Sequence, residues 1–283
     1  MPNFPIIDTH LHLWNPDNIN YPWLKDVPVL NKAYVLEEYS QATSTVNIEK
    51  MVFLQCECNT EQCEDEAAWV TQLAQKDSRL QGIVPWAPLE LGEGAREILA
   101  RYSKNKLIKG VRRIIQFEAD MNFCLQPNFI RGVQLLADFN MSFDICISHE
   151  QLKNTIKLVR QCPNVQFVLD HIGKPDIKTQ LFDPWKSDLK ELASFSNVYC
   201  KISGLATEAD MESWTKEDLN PYIDHVLDCF GVDRVIFGGD WPVAVQATTY
   251  TKWVETLDWA LADYSEKDLQ KIYRLNAIKF YKL

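Results

Sequence analysis

The chain has 283 residues, 46% hydrophobic and 24% charged, a globular composition with enough apolar material for a large core. Its 29 Lys and Arg against 39 Asp and Glu leave a net charge of −10, which argues against nucleic acid or an anionic membrane as a general partner. No run approaches the ~18 apolar residues of a membrane span, and no basic, apolar leader opens the chain. The eight cysteines do not form a disulfide-scaffold pattern, and Cys146, Cys200 and Cys229 lie in apolar stretches. The expectation is a reduced, cytoplasmic protein. Cys56, Cys58 and Cys63 form a C-x-C-x4-C cluster without an obvious fourth ligand and read as chance spacing.

In chain order, short apolar runs bounded by polar, Gly or Pro signals alternate with amphipathic stretches. The runs are Ile6–Thr9, Met51–Gln55, Gly82–Pro85, Ile108–Arg112, Ser142–Ile147, Gln166–Asp170, Val198–Ile202 and Arg234–Gly238. Each reads as a buried parallel strand. Helical patterns follow at Glu61–Gln75, Asn128–Phe139, Leu152–Cys162, Pro184–Phe195, Asp218–Phe230 and Thr249–Ala262, with a last helix from Glu266 capped by Ser265. Pro127, Pro184 and Pro221 sit where helices are expected to begin. Eight strand–helix units predict a (β/α)8 TIM barrel, an α/β fold, forming one domain over residues 1–283. Asn15–Tyr34 is a long, Pro-rich first loop expected to cover the barrel mouth.

Active sites of such barrels lie at the C-terminal ends of the strands. Those ends carry His10 and His12, then Gln55 and Glu57, Trp86, Arg112 and Arg113, Ser148 and His149, Asp170 and His171, Lys201 and Ser203, and finally Asp240. Strand side chains alternate, so His10 and His12 share a face, and from inside the barrel they can meet His171 and Asp240. Three imidazoles and one carboxylate suit two tasks. They can bind one zinc-like ion, or they can hold a substrate carbonyl and its attacking water.

"DTHLHLW" at 8–14, "LDHIGKP" at 169–175 and "FGGDWP" at 237–242 together resemble the amidohydrolase superfamily. The branch they resemble is the amidohydrolase-related (amidohydrolase 2), sugar-lactonase-like one, relatives of 2-pyrone-4,6-dicarboxylate lactonase. The motifs are spread across the whole chain. Binuclear members carry a bridging Lys or Glu at the end of strand four, where this sequence has "IKGVRR", so a two-metal site is not expected. His149 stands either near the position of a strand-five metal histidine or at the start of the fifth helix. The resemblance implies a hydrolase that opens a sugar-acid lactone, a small-molecule substrate from carbohydrate catabolism. It implies either no cofactor or one divalent metal ion, most plausibly zinc, on His10, His12, His171 and Asp240. Oligomeric state is left open.

Asp240 is then the general base that activates water, and His10, His12 and His171 orient and polarise the carbonyl, directly or through a metal. Asp8 has their parity at a deeper position and is expected to fix their orientation from below; Asp170 is expected to be structural. Arg112, favoured over Arg113 by alternation, and Lys174 are cations for a substrate carboxylate or hydroxyl. Gln55 joins them as a substrate-binding residue, and Trp14, Trp86 and Trp241 are expected at the mouth as stacking rings. Glu57 keeps alive a rival, a metal-dependent decarboxylase of an unsaturated or aromatic acid on the same scaffold. A rival of another class, a non-catalytic sugar-acid binder, would lack the base or one histidine of the H-x-H pair.

Overall fold

Eight short strands run parallel around a barrel in the computed structural model, which describes residues 1–283: β1 (Ile6–Leu11), β2 (Ile48–Leu54), β3 (Leu80–Val84), β4 (Gly110–Arg112), β5 (Ser142–Ile145), β6 (Phe167–Leu169), β7 (Val198–Ile202) and β8 (Val235–Phe237). Strands β1–β3 and β4–β8 form two ladders, and single bridges at Ile83–Ile108 and Leu11–Trp241 join them into a ring. The second seam is reinforced where the His12 N–H donates to the Trp241 carbonyl at 2.8 Å and the Thr9 hydroxyl to the Phe237 carbonyl at 2.7 Å.

Helices α1 (Leu36–Ala42), α2 (Cys63–Lys76), α3 (Arg96–Tyr102), α4 (Pro127–Asp138), α5 (Leu152–Gln161), α6 (Trp185–Ala193), α7 (Leu205–Glu208), α8 (Lys216–Phe230) and α9 (Tyr250–Ala260) follow the strands, and α10 (Glu266–Gln270) and α11 (Asn276–Tyr281) end the chain. Helices α1 and α3 escape the periodicity reading because two turns are too short to display it. Helix α8 starts at Lys216, two residues before the expected Asp218, because Thr215 and Asp218 close a capping box; Pro221 therefore lies inside the helix rather than at its start. Ser265 caps α10 as expected, accepting from the Asp268 N–H.

The strands are buried on both faces, which is why they read as continuous apolar runs. Ile7, Val52, Leu54, Val84, Val168, Tyr199 and Ile236 fill the lower barrel, and Phe280 and Tyr281 of α11 close it from beneath. The outward faces belong to the larger core shared with the helices. The register slips at three points in the β1–β3 ladder, one of them at a consequential place. Asp8 lies opposite Met51 and Leu11 opposite Phe53, so three steps along β1 match two along β2. This bulge turns His10 and His12 inward while Asp8 faces the helices, as bulges beside active sites commonly re-aim a side chain.

Candidate active site

The His12 Nδ1 lies 2.9 Å from the Leu54 carbonyl, and the His171 Nδ1 lies 3.2 Å from the Ser203 carbonyl. A carbonyl only accepts, so both rings carry their proton on Nδ1 and present an Nε2 lone pair to the barrel mouth. On His10, Arg112 Nη1 donates to Nε2 at 3.2 Å and Nδ1 faces Asp170 at 3.5 Å. The three Nε2 atoms lie 3.6, 3.6 and 3.9 Å from Asp240 Oδ1. These distances are too long for hydrogen bonds. They are close to the ~3.4 Å edge of a tetrahedron of donors around one ion at zinc–ligand distances.

Two donor sets share His10: one with His12 and Asp240, the other with Asp170 and His171. The first is the better match for a divalent cation, because its carboxylate has no Lys or Arg in direct contact and His12 Nε2 has no protein donor; His10 Nε2 would exchange its Arg112 contact for the ion. The second is the poorer match, because Lys201 at 3.0 Å and Arg112 at 3.4 Å already neutralise Asp170. Of the four residues expected to act as one ligand set, His10, His12 and Asp240 form one donor group, and His171, 3.9 Å from Asp240 Oδ1, belongs to the other. Asp170 also departs from expectation. It faces the interior because it keeps the parity of Val168, and the left-handed His171 (φ 51°) brings the next side chain to the same side.

Asp240 is left-handed too (φ 53°), at the end of Gly238–Gly239. An added Cβ at Gly238 would lie 2.7 Å from the His10 Cβ, and one at Gly239 would lie 2.4 Å from the Tyr250 ring, so both glycines are needed for close approach. Gly204, at φ 64°, would place a Cβ 2.5 Å from His171 Nδ1 and 2.7 Å from Asp240 Oδ2. Asp8 does not support the imidazoles from below. On the outer side of β1 it accepts from the Gly239 and His10 N–H groups at 2.8 and 3.0 Å and from the Tyr39 and Tyr250 hydroxyls, each at 2.9 Å. It thereby ties the Asp240 loop to α1 and α9.

Beneath the histidines lies a sealed ionic column. The fully buried Lys201 ammonium is 2.7 Å from Asp144 and 3.0 Å from Asp170, and the Tyr281 hydroxyl donates to Asp144 at 2.5 Å. Asp144 and Tyr281 were not anticipated from sequence. Their signal is a charged residue at an interior strand position and an aromatic at the chain's end.

Burial pushes His10 and His171 well below the usual imidazole range, and His12 below it, so the rings are neutral. Burial alone would raise the Asp240 carboxyl. Its attraction to the facing His171 and His12 imidazoles and to the Lys174 ammonium outweighs burial and holds the group below its ordinary value.

Above this centre opens a cavity of about 490 Å³, the size of a small-molecule site. Its walls include His12, His171, Asp240, Arg112 and Lys174. Arg112 is buried, donating to the Gln55 carbonyl at 2.6 Å, whereas Arg113 turns outward to Glu90 and Glu118. Lys174 pairs with Glu208 at 3.6 Å, and His149, at the start of the turn into α5, contacts the Lys174 carbonyl through Nδ1 at 3.1 Å.

Of four further expected substrate contacts, three lie off the cavity wall and Trp14 borders it. Trp86 is half-buried against the core and does not line the cavity. Trp241 is buried against Tyr34 and Tyr39, because the Leu11–Trp241 bridge draws it into the wall. Trp14 borders the cavity but is fully buried, with its indole N–H donating to the Leu30 and Lys32 carbonyls; it anchors the first loop. Gln55 is buried and off the cavity wall, its amide engaged by Glu57. The aromatic residues that do line the cavity with some exposure are Trp23, from the first loop, and Phe117, after β4. Trp23 is held by an N–H to Cys56 carbonyl bond of 2.8 Å, and its place in a Pro-rich loop over the mouth was the available signal.

An amidohydrolase family model matches residues 7–283. The chain belongs to the amidohydrolase family. A crystal structure of an amidohydrolase from Burkholderia multivorans with bound zinc superposes with a TM-score of 0.89 at 27% identity, covering 99% of this chain and all of that one. An L-fucono-1,5-lactonase of Burkholderia multivorans is 29% identical, over 98% of this chain and 96% of its own length. An L-rhamnono-gamma-lactonase of Scheffersomyces stipitis is 24% identical over the full length of both. No helix of this amidohydrolase is long and apolar enough to cross a membrane.

Proposed function

We propose that this amidohydrolase-family hydrolase opens a sugar-acid lactone by attack of water on the ring carbonyl. The observation that carries the reading is the convergence of three neutral imidazole nitrogens on the ionised Asp240 at the floor of a sugar-sized cavity. Relatives named as sugar lactonases support the substrate class. The chemistry needs a base for water, an electrophilic environment for the carbonyl and a route for a proton to the departing ring oxygen.

Asp240 serves as base, taking a proton from a water aligned by the neighbouring imidazoles. The positive Arg112, 3.2 Å from His10 Nε2, stabilises the negative charge that develops on the carbonyl oxygen. The proton held by Asp240 is then delivered to the alkoxide as the ring opens. His10, His12 and Asp240 are the residues that would hold a zinc ion, and such an ion supplies Lewis acidity and a more acidic water. His171, held by Ser203, orients substrate from the far side.

The test is a proton-release assay over a panel of aldonolactones, run with and without a chelator, with bound metal measured independently by mass spectrometry. Turnover of at least one aldonolactone to the ring-opened acid, with metal content lowered in His12→Gln, is the expected result. Release of carbon dioxide from an acid without lactone hydrolysis would replace this reading with decarboxylation.

A further inference from the structure

Glu57 is the one acid on the cavity wall, apart from Asp240, and the structure gives it no ion-pair partner. It stands just beyond β2 in the left-handed region, at φ 53°, which a residue with a Cβ adopts only when its surroundings impose it. The surroundings here are a two-point clamp. The buried Gln55 amide accepts from the Glu57 N–H at 2.6 Å and donates to its Oε1 at 2.7 Å. One carboxylate oxygen is thereby fixed, and the other has no protein partner.

The cations of the same cavity are already committed. Arg112 is held by Asp170, by His10 and by the Gln55 carbonyl. Lys174 is paired with Glu208. Each positive charge on the wall is therefore matched by a carboxylate, and Glu57 and Asp240 are left in excess. A divalent ion on His10, His12 and Asp240 offsets the charge at that end of the cavity and leaves Glu57 unpaired. An acceptor-only group held rigidly and without a counter-ion suits hydroxyl donors, and it repels a carboxylate or sulfonate placed against it.

Resting on the lactonase reading above, we propose that Glu57 selects the substrate by charge. It accepts a hydroxyl hydrogen bond from an uncharged polyhydroxylated lactone and rejects lactones that bear a second acidic group. Gln55 is its positioning residue. The reading turns an apparent cationic pocket, with Arg112 and Lys174 both on its wall, into a site for neutral sugars.

The experiment compares kcat/KM on neutral aldonolactones with that on aldarolactones of the same ring size, which carry a free carboxylate. Wild-type protein is expected to favour the neutral series by at least a hundredfold. Glu57→Gln should raise kcat/KM on the aldarolactones at least tenfold while lowering it on the neutral lactones by less than tenfold. Glu57→Leu, which removes the acceptor, should raise KM for the neutral lactones at least tenfold with kcat within threefold of wild type. Circular dichroism and melting temperature establish that each variant is folded. Should a variant fail to fold, wild-type protein alone provides the test: raising ionic strength should improve turnover of the aldarolactones and leave the neutral series unchanged. Equal use of both series by the wild type, or an unaltered ratio in Glu57→Gln, overturns the charge filter while leaving lactone hydrolysis standing. Absence of turnover on every lactone removes both readings.

Discussion

Two buried polar clusters share the inside of this barrel, less than a strand's length apart, and they are built on opposite rules. In the lower one, Lys201 lies between Asp144 and Asp170, and Tyr281 adds a hydroxyl, so nearly every charge meets its complement at hydrogen-bond distance. In the upper one, three imidazole nitrogens stand 3.6–3.9 Å from the Asp240 Oδ1, beyond hydrogen-bond distance, and only the His10 nitrogen meets a protein donor, Arg112. Complete pairing makes a buried charge cluster inert and structural. Incomplete pairing at fixed spacing leaves lone pairs available for an ion, a water or a substrate. The two clusters touch through Asp170 and Arg112, so the satisfied one also holds the unsatisfied one in place.

Substitutions should separate these two roles. Asp240→Asn, nearly isosteric, is expected to lower kcat/KM by about 10² to 10⁴, the range for loss of a general base, with an unchanged melting temperature. Most activity surviving would detach Asp240 from the chemistry. Lys201→Met should do the reverse. It strands two buried carboxylates and is expected to cost about 3–5 kcal/mol of stability in denaturant titration. A change under 1 kcal/mol would mean that the column is not a closed charge system.

A third prediction concerns Glu66 on α2, buried beside Cys56, whose carboxyl burial raises from 4.5 to about 8. Between those two values the unfolded chain releases a proton that the folded chain keeps, so stability falls as pH rises through that window. Glu66→Gln removes this loss and should be more stable than wild type at pH 8 by about 1–3 kcal/mol, since each tenfold change in proton affinity is worth about 1.4 kcal/mol. The advantage should vanish towards pH 4.5, and an equal difference at both ends would contradict it. The smallest effect is expected from Ser203→Ala. The His171 Nδ1 keeps the Ser203 carbonyl when the hydroxyl at 3.0 Å is lost, so kcat/KM should fall about two- to fivefold without loss of stability.

Much of the barrel was legible because each buried strand is a short apolar run and most helices show a periodic face. The histidines and Asp240 were legible from strand-end position, and the shared parity of His10 and His12 held because both come after Asp8, where the register slips. Where the backbone leaves ordinary strand geometry, alternation misleads. The bulge in β1 put Asp8 and His10 on opposite sides, and the left-handed turn at His171 brought that ring inward beside Asp170, which keeps the parity of Val168. Neither event has a one-residue sequence signature. Trp86 and Trp241 lie off the cavity wall because a strand end states the height of a ring but not its azimuth, whereas Trp14 borders the cavity. Trp241 was drawn into a bridge to β1, and Trp14 into the loop it anchors, leaving Trp23 at the opening.

Gly204 bears on how much room the site has. Its missing methyl is what lets His171 and Asp240 stand side by side, and on that flank backbone alone presses against the reacting acid. Under the lactonase reading, a substrate ring lying against that flank would meet main chain and no side chain. Any residue larger than glycine at 204 would crowd both His171 and Asp240 at once, so the width of that flank is set by an unadorned stretch of main chain.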